Sequence, residues 1–159
     1  MRKLLFFISV FSLLMTSCSS TKKVVSNTNK SNSKVDKIIR VAKNYKGTKY
    51  KFGGVTRKGM DCSGLVFVSF KKENVQLPRV SRMMAKKGHA VSLNRVKKGD
   101  LLFFKTSKRH NRINHVGLIT SVKNGAIKFI HSTSSRGVIE SLLSQKYWKR
   151  AFVKARRVL

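Results

Sequence analysis

Cys62 stands in the run Asp61-Cys62-Ser63-Gly64-Leu65-Val66, where a polar turn gives way to an apolar stretch of the kind that begins a helix. A thiol at a helix N-terminus feels the positive end of the helix dipole. That is expected to lower its pKa below the free value of about 8.5 and to enrich the nucleophilic thiolate. The alternative is a buried structural cysteine, the commoner fate of a lone thiol. A thiolate nucleophile needs a base that takes its proton and later hands it to the leaving group, and histidine suits the task because its pKa lies near neutrality. The chain offers four histidines. His89 lies near the end of an expected helix and His110 in the polar run Lys108-Arg109-His110-Asn111-Arg112, so both read as surface residues. His115 heads an apolar strand and His131 follows Phe129-Ile130, so each is either a core histidine or a partner for the thiol.

Other chemistries find little support. The chain has five carboxylates, Asp36, Asp61, Glu73, Asp100 and Glu140, and none sits in a motif for a paired-carboxylate glycosidase or a calcium or magnesium site. Its two cysteines and four histidines lack Cys-x-x-Cys or His-Glu-x-x-His spacing for zinc, and nucleophilic attack by a thiol with a histidine base needs neither metal nor organic cofactor. Against the five acids stand 36 Lys and Arg, a formal net charge of +31. Such a chain seeks polyanions. The cations are spread along its length without a helix-turn-helix, zinc-finger or RNA-binding sheet motif, so nucleic acid is not the expected partner.

The N-terminus reads as an address. Arg2 and Lys3 precede an apolar core, Leu4 to Met15, that is too short to span a bilayer comfortably and ends in Met15-Thr16-Ser17-Cys18. Cys18 resembles the acceptor of a bacterial lipobox, with Met15 where Leu is usual; an ordinary signal peptide or an uncleaved anchor helix are the alternatives. The expected organisation is a signal peptide over 1–17, a lipidated Cys18 with a flexible Ser/Thr/Asn/Lys-rich tether over 18–33, and a folded domain over 34–159. Each buried lipid CH₂ contributes about 0.8 kcal/mol, so several acyl chains anchor stably. Ser19 in place of Asp favours, by resemblance to lipoproteins of two-membrane bacteria, the periplasmic face of the outer membrane. An exported protein is expected to pair its cysteines; with Cys18 acylated, Cys62 has no partner, which tells against an idle thiol. Outside the cytoplasm the expected counterparts are carboxylate-bearing peptidoglycan and anionic envelope polymers, the alternative being a merely solvated basic surface.

These residues need elements to position them. Val35, Ile38, Ile39, Ala42 and Tyr45 fall on one helical face, ended by Gly47. Asp61 caps a second helix through Leu65, Val66 and Val68 towards Lys72, and Ser81 caps a short one over Arg82 to Lys87. Strands follow at Leu101–Phe104, His115–Val122 and Ala126–Thr133, the last two joined at the hairpin signal Asn124-Gly125. A helical turn at Ser144–Trp148 and a strand at Ala151–Val158 complete an α+β domain of a single unit without internal repeats. His115 lies nine residues before Asn124 and His131 six after Gly125, so contact between them needs a bulge, a longer loop or a diagonal approach.

In this order the chain resembles the NlpC/p60 family of bacterial cell-wall cysteine peptidases, through Tyr45–Tyr50, Gly53-Gly54, Asp61–Val66, Leu77–Ser81, Gly99–Phe104, His115–Leu118, Phe129–Ser132 and Ala155–Val158. Within it the chain looks most like the Spr-type (MepS) lipoprotein murein endopeptidases. The resemblance implies a papain-like fold, a catalytic domain over 34–159, Cys62 as nucleophile, His115 as base and His131 as the orienting third member. It implies that Tyr50, with the Cys62 N–H, holds the oxyanion, and that Asp61 and Ser63 contact substrate. The implied activity is a lipid-anchored, monomeric endopeptidase cutting peptidoglycan stem peptides, either at the D,D cross-link or at γ-D-glutamyl-diaminopimelate. A catalytically idle basic envelope-binding protein, or a cell-wall amidase or acyltransferase, are the other readings. Lys49 before Tyr50 and the basic insertion 106–114 depart from the family pattern and bear on substrate preference.

Overall fold

A computed structural model describes residues 33–107 and 111–159. The expected signal peptide, Cys18, nearly all of the tether and His110 lie outside the described residues. Helix α1 (Lys34–Asn44) starts at Ser33, whose hydroxyl accepts from the Asp36 N–H and donates to the Asp36 carboxylate, a reciprocal cap. Its Ile38, Ile39 and Ala42 are buried, as their spacing predicts. A two-stranded hairpin, β1 (Val55–Thr56) and β2 (Gly59–Met60), leads into α2 (Cys62–Lys71). Helix α2 is apolar almost all round and runs through the core, with Leu65, Val66 and Phe70 fully buried. Its buried Ser69 hydroxyl is satisfied by the Leu65 carbonyl at 2.7 Å.

After the short helix α3 (Ser81–Met84) come β3 (His89–Val91), β4 (Leu101–Phe104), β5 (His115–Lys123), β6 (Ala126–Thr133), β7 (Gly137–Leu142), helix α4 (Lys146–Ala151) and β8 (Phe152–Arg157). The six strands β3 to β8 form one antiparallel sheet in the order β3-β8-β4-β5-β6-β7. Alternation along β4 divides the core. Leu101 and Phe103 pack with Val116, Leu118, Ile130 and the residues of α1 and α2. Leu102 and Phe104 pack on the other face with Ile119, Phe129 and Trp148 of α4. The architecture is α+β, as expected.

Several local expectations are corrected. Ser81 does not cap the third helix but is its first residue, and that helix ends at Met84 rather than Lys87. The following turn places exposed His89 at the start of edge strand β3, paired with Arg157, not at a helix end. The last helix lies two to three residues further on than expected. Strand β7 was not anticipated, although Gly137-Val138-Ile139 after a Ser-Ser-Arg turn carries β-branched residues at the right distance for a hairpin.

The β5–β6 hairpin sets the geometry of the site. Asn124 and Gly125 take φ of 48° and 76°, the conformation a two-residue hairpin turn of this kind requires. Pairing begins at Lys123 with Ala126 and slips by one residue between Ile119 and Ser121. Without that slip His131 would lie opposite Leu118, on the α2 face of the sheet. With Thr120 bulged, Leu118 faces Ile130, and His131 shares the Trp148 face with His115, one diagonal step away.

Candidate active site

Helix α2 offers Cys62 at its first turn because Asp61 caps it. The Asp61 carboxylate accepts from the Gly64 N–H at 2.6 Å and from the Gly53 N–H at 2.8 Å, which ties the helix start to the loop after Tyr50. Gly64 is needed at this junction, since a Cβ there would overlap the Gly54 carbonyl oxygen. Arg79 grips the same carboxylate with both guanidinium nitrogens, at 2.9 and 2.8 Å. The Ser63 hydroxyl donates to Asp61 at 3.1 Å and accepts from Arg79 at 2.9 Å. Burial acts to raise the Asp61 pKa, but the Arg79 contacts, the Gly64 N–H and Ser63 outweigh it and hold the carboxyl below its ordinary value. Asp61 is therefore an anion with five donors on two oxygens. Arg79, the residue that fixes it, was not singled out from the sequence.

The thiol differs from expectation. Cys62 is 9% exposed, and its Sγ lies 4.0 Å from the Asn114 carbonyl oxygen, to which the thiol donates. Burial pushes its pKa up to about 11; the Val116 N–H opposes the rise and the Asp61 charge adds to it. The helix N-terminus does not produce a resting thiolate, because the Asp61 carboxylate already occupies that end of the dipole and the site is desolvated.

The two histidines meet. His115 Nε2 lies 3.0 Å from His131 Nδ1, and His131 Nε2 lies 2.9 Å from the Ser141 hydroxyl. Trp148 stacks on His115 with centroids 5.3 Å apart and presents an edge contact to His131 at 4.5 Å. Phe104 and Phe129 complete an apolar jacket around the pair. Burial lowers the His115 pKa to about 4. Burial also drives His131 down, helped by the charges of His115 and Arg136. Both rings are therefore neutral at rest. Ser141 was missed because β7 was missed: it lies one diagonal step from His131, which pairs with Ile139.

Two clefts flank Cys62. The larger, about 650 Å³, is lined by Tyr50, Cys62, Asn114, His115, Arg136 and Trp148, among others. The smaller, about 460 Å³, is reached by Tyr50, Cys62, Asp61, Ser63, Arg79 and Asn114. Tyr50, Cys62 and Asn114 line both, so these mark the meeting point. Burial and the charges of Cys62 and Asp61 raise the Tyr50 pKa, which keeps its hydroxyl a donor. Asn114 also clasps the base of the 106–114 insertion: its side chain accepts from the Thr106 N–H at 2.8 Å and donates to the Thr106 hydroxyl at 3.0 Å. Among the described residues no cluster of three or more His, Cys, Asp or Glu is arranged to hold a metal ion, and no helix is long and apolar enough to cross a membrane. Every site residue expected within 34–159 thus converges on one place, with His131 behind His115 and Asp61 beside Arg79 at the smaller cleft.

Comparison with known proteins agrees with this geometry. The profile of the NlpC/P60 family matches residues 47–157. The probable endopeptidase NlpC of Escherichia coli K12 is 35% identical over 158 residues, covering 95% of this chain and 97% of that protein. The murein DD-endopeptidase MepS/murein LD-carboxypeptidase of the same organism is 37% identical over 116 residues, covering 72% of this chain and 58% of that one. The crystal structure of a lipoprotein-like NLP/P60 family protein from Staphylococcus aureus superposes with a TM-score of 0.69 at 31% identity, over 79% of this chain and 41% of that chain. The chain belongs to the NlpC/P60 family and is a hydrolase of that family's cysteine-peptidase type.

Proposed function

We propose that this protein is a lipid-anchored peptidoglycan endopeptidase that hydrolyses stem-peptide amides through Cys62, His115 and His131. The observation that carries the reading is the chain of contacts from His115 through His131 to Ser141, whose outer member, His115, lines the cleft that also holds Cys62. His115 Nε2 is engaged by His131, which leaves Nδ1 to serve the thiol. For Nδ1 to accept a proton, Nε2 carries the N–H and donates to His131 Nδ1; His131 then carries its own N–H on Nε2 and donates to Ser141.

The thiol and imidazole are both neutral at rest, so proton transfer accompanies attack. Cys62 Sγ bonds to the amide carbon as its proton passes to His115. The oxyanion is held by the Tyr50 hydroxyl and the Cys62 N–H. Collapse breaks the C–N bond, and the leaving amine takes the proton from His115. Water, deprotonated by the same ring, then cleaves the thioester and the thiol recovers its proton. The smaller cleft, where Asp61, Ser63 and Arg79 form one hydrogen-bonded cluster, receives the acyl side of the stem peptide. The bond cut is the D,D cross-link, as in the name of the murein DD-endopeptidase relative, or the γ-D-glutamyl-diaminopimelate link.

In this reading Cys18 carries the lipid, residues 18–33 tether the domain 34–159, and the enzyme works from the envelope side of a membrane. Its basic surface holds it near anionic envelope polymers. The test is digestion of purified muropeptides by the wild type and by Cys62→Ala, with products resolved by mass. New free amines from the wild type alone are expected, and their masses name the bond; equal turnover by both proteins would sink the mechanism.

A further inference from the structure

The two clefts play different parts towards a bound amide. Both reach Cys62, but His115 lines only the larger. The base returns its proton to the departing amine, so the larger cleft holds the amine-side fragment. Among the described residues its lining has no carboxylate and one guanidinium, that of Arg136. Its other polar groups include the hydroxyls of Ser134, Ser135 and Tyr147 and the amide of Gln145. A guanidinium facing a cleft without acids is a receptor for a carboxylate, whose two oxygens match its paired N–H groups.

The backbone that carries Arg136 is held firmly. Arg136 lies in the turn from β6 to β7, where its N–H donates to the Thr133 hydroxyl at 3.1 Å and that hydroxyl donates to the Gly137 carbonyl at 3.3 Å. Gly137 takes φ of 63° and abuts the Thr48 carbonyl so closely that a Cβ would overlap it. The Val138 N–H donates to that same carbonyl at 2.9 Å. The turn is thus pinned to the loop that leads to Tyr50. No described residue forms an ion pair or side-chain hydrogen bond with the Arg136 guanidinium, yet its charge reaches His131.

We propose that Arg136 forms a carboxylate subsite for the amine-side residue of the substrate. The proposal rests on the endopeptidase reading and narrows it. The preferred leaving residue is a diamino acid that bears a carboxylate beside its second amine, as diaminopimelate does. Lysine, the same residue without that carboxylate, is disfavoured at either candidate bond.

The test measures binding, so it does not depend on turnover. Two stem peptides of equal length, one with diaminopimelate and one with lysine, are titrated by calorimetry into Cys62→Ala and into Cys62→Ala/Arg136→Gln. The diaminopimelate peptide is expected to bind Cys62→Ala about tenfold more tightly, the scale of one charge-assisted contact. That preference is expected to vanish in the double variant while the lysine peptide binds both equally. Equal affinities for Cys62→Ala, a preference that survives Arg136→Gln, or no binding of either peptide overturns the subsite. Hydrolysis of the same peptides by the wild type judges the endopeptidase reading separately.

Discussion

His115 has one nitrogen engaged by His131 and one left for the thiol, so its usefulness depends on how that ring is held. Ser141 acts two steps away as a positioning residue, by accepting the N–H of His131 at 2.9 Å. Ser141→Ala leaves a buried N–H without an acceptor, a cost of about 1–3 kcal/mol. The expected result is a fall in kcat of about tenfold or more with little change in KM. Ser141→Thr keeps the hydroxyl and is expected to restore most of the rate, which a purely steric role would not predict. The protonation states give a second expectation. With His115 depressed to about 4 and Cys62 raised to about 11, the active neutral pair persists between those values. A kcat/KM profile that stays flat from mildly acid to mildly alkaline pH and falls only near the lower value is expected. A bell centred near neutrality would mean that a pre-formed thiolate–imidazolium pair does the work.

Elements decide whether those residues meet. The start of α2 is packed against the Gly53-Gly54 loop so closely that Gly64 has no room for a side chain, and its nearest neighbours are the Gly54 carbonyl, Arg79 and Asp61. Gly64→Ala must move the loop or the cap. It is expected to destabilise the fold by about 1–3 kcal/mol in urea titrations and to lower activity with it, because Tyr50 and Cys62 sit on the two sides of that contact. The cap itself was legible in the sequence, since Asp before an apolar run is a local signal, and so were the Asn124-Gly125 turn and the need for an irregular hairpin. The position of the bulge at Thr120 was not, because it is set by which face each strand must bury rather than by any local preference. Strand β7, and with it Ser141, was illegible for a related reason: its six residues open on a glycine and include the polar pair Glu140-Ser141, and its pairing with β6 is what makes it a strand. The direction of the Cys62 pKa shift escaped as well, since it follows from burial under Asn114, which no local motif announces.

At the scale of the molecule the scarce acids are nearly all spent inside the fold. Asp36 pairs with Lys98, Asp61 with Arg79, Asp100 with Arg157, and Glu140 with Lys46 and Lys43. Most of the described Lys and Arg side chains are exposed, and the full chain carries a formal +31, so acid conditions act on a chain already loaded with positive charge. The buried imidazoles respond first. Their folded pKa values lie below the ordinary 6.5, so between that value and about 4 the unfolded chain binds protons that folded His115 refuses, and His131 behaves alike. Stability therefore falls as pH drops from 6.5, by up to about 1.4 kcal/mol per pH unit for each ring. The carboxylates follow at lower pH: Asp61 and Glu140 are held below their ordinary values, so their contribution is present above the unfolded pKa and is lost as pH falls through the folded one. Urea midpoints measured at pH 7, 6 and 5 are expected to decline before the carboxylate range is reached, and His131→Gln is expected to make that decline about half as steep. A midpoint constant over this range would mean that both rings accept protons in the folded protein. The neutral resting pair on which the proposed mechanism depends would then be wrong.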